Sequence, residues 1–255
     1  MTNSTEQGHV HSSIANGIAT IEFYHPLSNS LPGVLLKKIA ETISEMGKQN
    51  EVSVIVLKST GEKAFCAGAS FDELSRISSP EEGKIFFSGF AQVINTARKC
   101  PKIILGRIQG KAVGGGVGIL ACTDYCFATK FADVKLSELA IGIGPFVVGP
   151  IIERKIGLAN TSCLTLNASE WKSAAWAKEK GLYAEIYDNI PEMDEALKSL
   201  AMKLSKSNPD ALKALKKTFW EGTDHWDELL SKRAEISGKL VLSEFTQKAL
   251  KNFKK

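Results

Sequence analysis

Apolar and polar positions alternate along the first part of the chain in a way that predicts paired strands. Residues 9–14 and 18–23 flank Ala15-Asn16-Gly17, and an Asn-Gly pair between such runs marks a tight β-hairpin, because both turn residues then take positive φ. After a loop over 25–32, Pro32 suits the first turn of a helix. Leu35, Ile39, Ile43 and Met46 then recur at helical spacing among lysines and glutamates. Residues 52–57 (VSVIVL) form a short apolar run typical of strands buried on both faces. The stretch 62–74 reads as an alanine-rich loop carrying Gly68.

A second amphipathic helix is expected over 81–99, with Ile85, Phe86, Val93, Ile94 and Ala97 apolar, and Pro101 ends it. Residues 103–108 are the next strand, followed by a short helix over 117–122 and a strand near 125–128. This alternation predicts an α/β fold with a mostly parallel sheet and right-handed crossovers. From Pro150 the character changes: Ser169 is expected to cap a helix ended by Gly181, residues 182–188 to form a last strand, and Asn208-Pro209 to open a further helix in a lysine-rich remainder. The expected organisation is a core over 1–200 and a helical region over 201–255, with no flexible linker between them.

Composition narrows this picture only modestly. With 255 residues, 44% hydrophobic and 24% charged, the chain has the makeup of a soluble globular protein. A net charge of +4 is too mild to argue for nucleic acid, yet it suits a phosphate-bearing ligand. The five cysteines include no CxxC pair and are expected to be reduced, buried thiols rather than disulfides or metal ligands. The polar N-terminus lacks a signal-peptide core, and no run approaches the ~18 apolar residues of a membrane helix, so a cytoplasmic location is expected.

The chemistry concentrates between residues 108 and 145. Gly114, Gly115, Gly116 and Gly118 open a short apolar helix, and Glu138 is the only acid in the small and apolar run 136–148. Ala67-Gly68-Ala69 follows one strand as the triple glycine follows the next, and loops at the carboxyl ends of neighbouring parallel strands face one crevice. Two backbone N–H groups converging there would make an oxyanion hole, where one lost donor costs roughly 2.7–4 kcal/mol of transition-state stabilisation. For any one glycine alone, a tight turn or close packing is the ordinary explanation. Asp124 is expected to cap or hydrogen-bond. His9, His11, His25 and His225 all lie far in sequence from the glycines, which leaves a Ser–His hydrolase without an obvious base. Ser137 reads as a packing or orienting residue. Trp171, Trp176, Trp220 and Trp226 read as core or subunit contacts on helices.

Three segments, AFCAGASFDEL (64–74), IQGKAVGGGVGILACTDYCFA (108–128) and VKLSELAIGIGP (134–145), resemble the crotonase superfamily, the enoyl-CoA hydratase/isomerase group, in order and spacing, as does the final NFKK. The resemblance covers nearly the whole chain. It implies an α/β crotonase-like spiral of ββα units with a C-terminal helical trimerisation region, and an acyl-CoA thioester as substrate, coenzyme A being part of that substrate and no separate cofactor or metal being needed. By alignment the N–H groups of Ala69 and Gly115 form the oxyanion hole. Leu27, Ser28, Ala67, Ser70 and Phe71 fall in the CoA groove, where relatives usually carry aspartate in place of Ser70. Gly114, Gly118 and Phe146 are expected beside the substrate. Partners are expected to be copies of the chain, a homotrimer or a dimer of trimers, with neither nucleic acid nor membrane.

Hydratases of this group use two glutamates. One aligns with Glu138, and the other falls at Gly118, while Phe146 stands where hydratases tend to keep a glycine near the catalytic water. GPFVVGPIIERKIG also resembles the matching stretch of mitochondrial-type enoyl-CoA isomerases. Both departures favour a shift of a 3-enoyl to a 2-enoyl thioester through one glutamate over hydration. The alternatives are hydration, decarboxylation or C–C hydrolysis, with Asp72, Glu73 or Asp133 as relocated acids, each of which reads more simply as solvated surface. Outside catalysis, RNA binding and an inactive acyl-CoA-binding role are the rivals.

Overall fold

A computed structural model describes residues 8–253. The hairpin forms as expected: β1 (His9–Ala15) pairs antiparallel with β2 (Ile18–Tyr24), and Asn16 and Gly17 take φ of 52° and 77° in the turn. Beyond it every ladder is parallel. β3 (Val54–Ser59), β5 (Ile103–Ile108), β7 (Tyr125–Thr129) and β9 (Glu185–Tyr187) extend one six-stranded sheet in the order β1-β2-β3-β5-β7-β9. β4 (Ala64–Cys66), β6 (Lys111–Val113) and β8 (Val134–Lys135) form a second, three-stranded sheet.

From β3 onward the chain repeats one unit, a strand in the large sheet, a strand in the small sheet, then helix, whereas the first turn is the hairpin followed directly by helix. The helices of successive turns are α1 (Gly33–Lys48), then α2 (Phe71–Leu74) with α3 (Pro80–Lys99), α4 (Gly115–Ala121) and α5 (Gly149–Leu166). This is the spiral of ββα units that the resemblance implied.

The apolar run at β3 is continuous because both faces are covered. Ile55 and Leu57 pack in the larger cluster with Leu36, Ile39, Val93 and Ile94, whereas Val54 and Val56 join Met193, Leu197 and Leu212 on the other side. Those last residues come from α7 (Ile190–Ser205) and α8 (Pro209–Phe219). α3 starts where Ser79 accepts the Glu82 N–H at 3.2 Å, with Pro80 in its first turn.

Several expectations need correction. The segment 62–74 is not simply loop, since it holds β4 and α2. Ser169 caps nothing; α5 runs to Leu166, and Ser173 caps α6 (Ala174–Glu179) by accepting the Trp176 N–H at 3.1 Å. Gly181 ends that segment at φ 86°, as expected. Trp171 lies in the connection between α5 and α6 rather than on a helix.

The C-terminal helices are fastened to the core at two points. Lys216 of α8 pairs with Asp124 at 2.7 Å, both side chains almost wholly buried, and the same carboxylate accepts the Ile104 N–H at 2.8 Å and the Trp220 Nε1–H at 2.9 Å. Asp124 is thus the structural hydrogen-bonding residue its position suggested. α9 (Trp226–Leu240) crosses α3 so closely that a Cβ on Gly83 would lie 2.6 Å from Gly238 Cα. α10 (Glu244–Phe253) packs on the turn after β8. All five cysteines are free, and four of them are buried. Among the described residues no helix is long and apolar enough to cross a membrane.

Candidate active site

The two glycine loops meet because β4 and β6 are neighbours in the small sheet, not in the large one. The position of a Cβ on Gly68 would be 3.5 Å from Gly115 N and 2.7 Å from Val113 O, so the loops touch backbone to backbone. The first loop is held by the segment before α1. Ala67 N–H donates to Ser28 O at 3.0 Å, Leu31 N–H to Gly68 O at 2.8 Å, and Ser70 N–H to Leu31 O at 3.1 Å. Asn29 fixes that segment in turn, its amide donating to Thr60 O at 2.8 Å and Ala64 O at 3.0 Å. Between these bonds the N–H of Ala69 points away from the pairing. Gly115 is the first residue of α4, where a backbone N–H has no helical acceptor. Neither N–H has an acceptor among the described residues.

Glycine is required at 114 and 115 for distinct reasons. Gly114 adopts φ 53° and ψ −123°, and a Cβ there would stand 2.9 Å from Glu138 Oε1. A Cβ on Gly115 would come within 2.3 Å of the Phe90 ring. The carboxylate of Glu138 thus lies directly against the turn that presents Gly115.

Glu138 opens a short 3-10 turn (Glu138–Ile141) closed by Gly142 in the left-handed conformation, with Ile143 N–H donating back to Glu138 O at 3.0 Å. The residue as a whole is half-buried, but its Oε2 is sequestered and has no hydrogen-bond partner among the described residues. Burial pushes its carboxyl from the ordinary 4.5 up to about 7, its own backbone N–H only partly offsetting that rise. An acid poised there can take up a proton and return it near neutral pH.

Glu138 faces a cavity of about 390 Å³. Of the residues singled out from sequence, Ala67, Ala69, Phe71, Gly114, Gly115, Glu138 and Phe146 line it. Leu27, Ser28, Ser70 and Gly118 do not. Leu27 and Ser28 lie exposed on the segment that braces the first loop. Ser70 is buried and accepts the Glu73 N–H at 3.4 Å, capping α2. Gly118 is covered by Val148, whose Cγ1 would lie 2.3 Å from a Cβ at 118.

The three candidate relocated acids are elsewhere. Glu73 accepts the Gly33 N–H at 2.8 Å and so caps α1, Asp133 accepts the Ala174 N–H at 3.2 Å, and Asp72 is exposed. Glu138 is the only carboxylate among the described residues on the cavity wall, and no histidine is on it. Among the described residues no group of His, Cys, Asp or Glu is arranged to hold a metal ion.

Among the wall residues that sequence reasoning missed are Phe90, Lys135, Val148 and Ser237. Phe90 and Val148 looked like ordinary core residues, and Ser237 comes from α9, far along the chain. Lys135 offered only its charge, three residues before Glu138, because its strand has two residues and no pattern of its own.

Comparison with known proteins gives one family. The model described as enoyl-CoA hydratase/isomerase matches residues 13–254. The peroxisomal Delta(3,5)-Delta(2,4)-dienoyl-CoA isomerase of Arabidopsis thaliana is 28% identical over 69% of this chain and 67% of its own length. A probable enoyl-CoA hydratase of Bacillus subtilis is 24% identical over 92% of each chain. The rat mitochondrial methylglutaconyl-CoA hydratase is 28% identical over 77% of this chain and 63% of its own. Among solved structures, an enoyl-CoA hydratase from Bacillus halodurans superposes with a TM-score of 0.88 at 23% identity, covering 95% of this chain and 99% of that one. The fold is therefore shared at the level of the whole chain.

Proposed function

The chain belongs to the enoyl-CoA hydratase/isomerase family, and from that premise we propose that it shifts the double bond of a 3-enoyl-CoA thioester to the 2-position, with Glu138 as the single acid/base. The observation that carries this reading is the cavity wall: one carboxylate among the described residues, and Val148 in the space that a second carboxylate at position 118 would need.

In this reading the N–H groups of Ala69 and Gly115 hold the thioester oxygen. Glu138 removes a proton from C2, and the electron pair spreads over C1 to C4 as a dienolate whose negative oxygen those two donors stabilise. The protonated carboxyl then delivers the proton to C4, leaving the C2–C3 double bond conjugated with the carbonyl. Removal and return use one group, so no second acid and no water are required. The raised carboxyl of Glu138 supports this, because it can exist in both protonation states near neutrality. Phe146 on the wall disfavours a water where hydration would need one.

Coenzyme A enters as part of the substrate, with no separate cofactor. The segment 27–31 and Ser70, which brace the first loop from outside the cavity, form the approach for the CoA moiety. The helical region, described over 201–253, contributes Ser237 to the cavity wall and, with α5, would carry trimer contacts. Leu158 and Leu166 on α5 and Phe245 on α10 are 66%, 73% and 66% exposed, apolar surface of the kind that association buries.

A panel of thioesters tests the proposal. A 3-enoyl-CoA should be converted to the conjugated 2-enoyl-CoA far faster than a 2-enoyl-CoA is hydrated. Robust hydration without any shift of the 3-enoyl substrate would replace the isomerase reading with the hydratase one.

A further inference from the structure

We infer that Lys135 and Lys111, gathered around Trp171, form a subsite for an anionic group carried by the acyl portion of the thioester, a carboxylate on a short acyl chain. This rests on the acyl-thioester reading above and names the substrate class within it.

The placement follows from the small sheet. Val113 of β6 is registered against Lys135 of β8, and Lys111 lies two residues before Val113 on the same strand face. Trp171 is brought to that face because Val134 and Lys172 exchange two backbone hydrogen bonds of 2.9 Å. The ammonium of Lys111 then sits 4.6 Å from the centre of the indole ring, and that of Lys135 sits 4.7 Å from it. The ring's negative face attracts each cation. It does not cancel the charge of either, and two cations on one ring repel.

Neither ammonium has an acidic partner among the described residues. The acids closest in sequence are committed elsewhere or exposed: Asp133 binds the Ala174 N–H, and Glu170 is exposed. Lys135 is also the only cationic residue among the described residues of the cavity wall, which includes Ser137, Ser169, Phe87 and Phe90, while Lys111 and Trp171 stand just outside that wall and meet it through Lys135. An ammonium facing a purely hydrocarbon chain would lose hydration and gain nothing. Facing a carboxylate, it gains a charge-assisted hydrogen bond.

The acyl group is favoured over the phosphates of coenzyme A by proximity. Gly114 N–H donates to Lys135 O at 2.8 Å, so the backbone of Lys135 is one hydrogen bond from the turn that presents Gly115. The phosphates of coenzyme A are separated from the thioester by the whole pantetheine arm. A substituent on the acyl chain is a few bonds away.

The experiment compares kcat/KM for a short enoyl-CoA and its terminally carboxylated counterpart on the wild type, Lys135→Met and Lys135→Arg. The wild type should prefer the carboxylated thioester. Lys135→Met should lower that preference about tenfold, and Lys135→Arg should keep most of it. The same comparison with phosphate-free pantetheine thioesters should give the same loss. A loss equal on both thioesters that vanishes with the pantetheine forms would mean that the lysines read coenzyme A, and would overturn the inference. An unchanged preference in Lys135→Met would reduce the cluster to surface packing around Trp171, and would overturn it as well. Calorimetry of the wild type with a saturated, uncarboxylated acyl-CoA separates the two levels of argument. Binding there with no carboxylate preference sinks only this inference, whereas absence of binding to either class sinks the acyl-thioester reading and this subsite with it.

Discussion

Val148 occupies the space in which a side chain at position 118 would begin: a Cβ on Gly118 would lie 2.3 Å from its Cγ1 and 2.6 Å from its Cβ. Any side chain at position 118 is therefore excluded by the packing, and on the proposed isomerase reading so is a second carboxylate there. Gly118→Glu alone is expected to destabilise the fold by roughly 2 kcal/mol or more, as overpacked cores do, and to yield no hydratase. Combining it with Val148→Ala and Phe146→Gly opens room for both the carboxylate and a water. Hydration of a 2-enoyl-CoA should then rise above the wild-type level, and a thermal melt should show stability partly restored relative to the single variant.

Glu138→Gln keeps the shape of the side chain and removes its base. Turnover of the 3-enoyl thioester should fall by roughly a thousandfold or more, with acyl-CoA binding retained in calorimetry. The same substitution should raise stability above neutral pH. Below the ordinary carboxyl value of 4.5 both folded and unfolded chains hold the proton. Between there and about 7 the unfolded chain releases it first, so stability falls as pH rises, by an amount on the order of 3 kcal/mol that then stays constant. Glutamine has no such loss, and denaturation at pH 8 should show the variant as the more stable protein.

The same shift sets the activity profile. On the proposed mechanism the free enzyme needs Glu138 ionised to remove a C2 proton, so log kcat/KM should climb with unit slope up to about pH 7 and level off above it. A limb centred near 4.5 would mean that the carboxyl is hydrated in solution and not sequestered as its environment indicates.

The Asp124–Lys216 pair offers a test of stability away from the chemistry. Asp124→Leu strands a buried ammonium and should cost about 3–5 kcal/mol in urea denaturation. Asp124→Leu combined with Lys216→Met should recover much of that loss, although Ile104 N–H and Trp220 Nε1–H remain without their acceptor.

The legible parts of this chain were those whose signals are local. The Asn16-Gly17 turn, the spacing of Leu35, Ile39 and Ile43, and the capped start of α3 each depend on a few adjacent residues. The second sheet was illegible because its strands have only two or three residues, too few for an alternating pattern to register. Ser169 and Ser173 offer equivalent capping chemistry, and only the length of α5 decides between them. The glycines and Glu138 were found as one site through their chemistry and their resemblance to a family. The packing of Val148 on Gly118, and the gathering of Lys111 and Lys135 at Trp171, join residues 24 to 60 positions apart, and no local pattern reports such meetings.

The anchoring of Asp124 also bears on how the chain reaches this state during synthesis. Asp124 directly follows the segment that carries the glycine helix, yet its counter-ion lies 92 residues later. A nascent chain that has not yet delivered Lys216 must keep the carboxylate hydrated or bury it as the protonated acid, since an unpaired charge in the interior is costly. The surroundings of Asp124 then reach their final dry packing only when α8 has emerged and Lys216 and Trp220 bind the carboxylate. A truncation before residue 216 would leave the Asp124 carboxylate without the ammonium that pairs with it in the full chain, so that hydration or protonation must take the place of that pair.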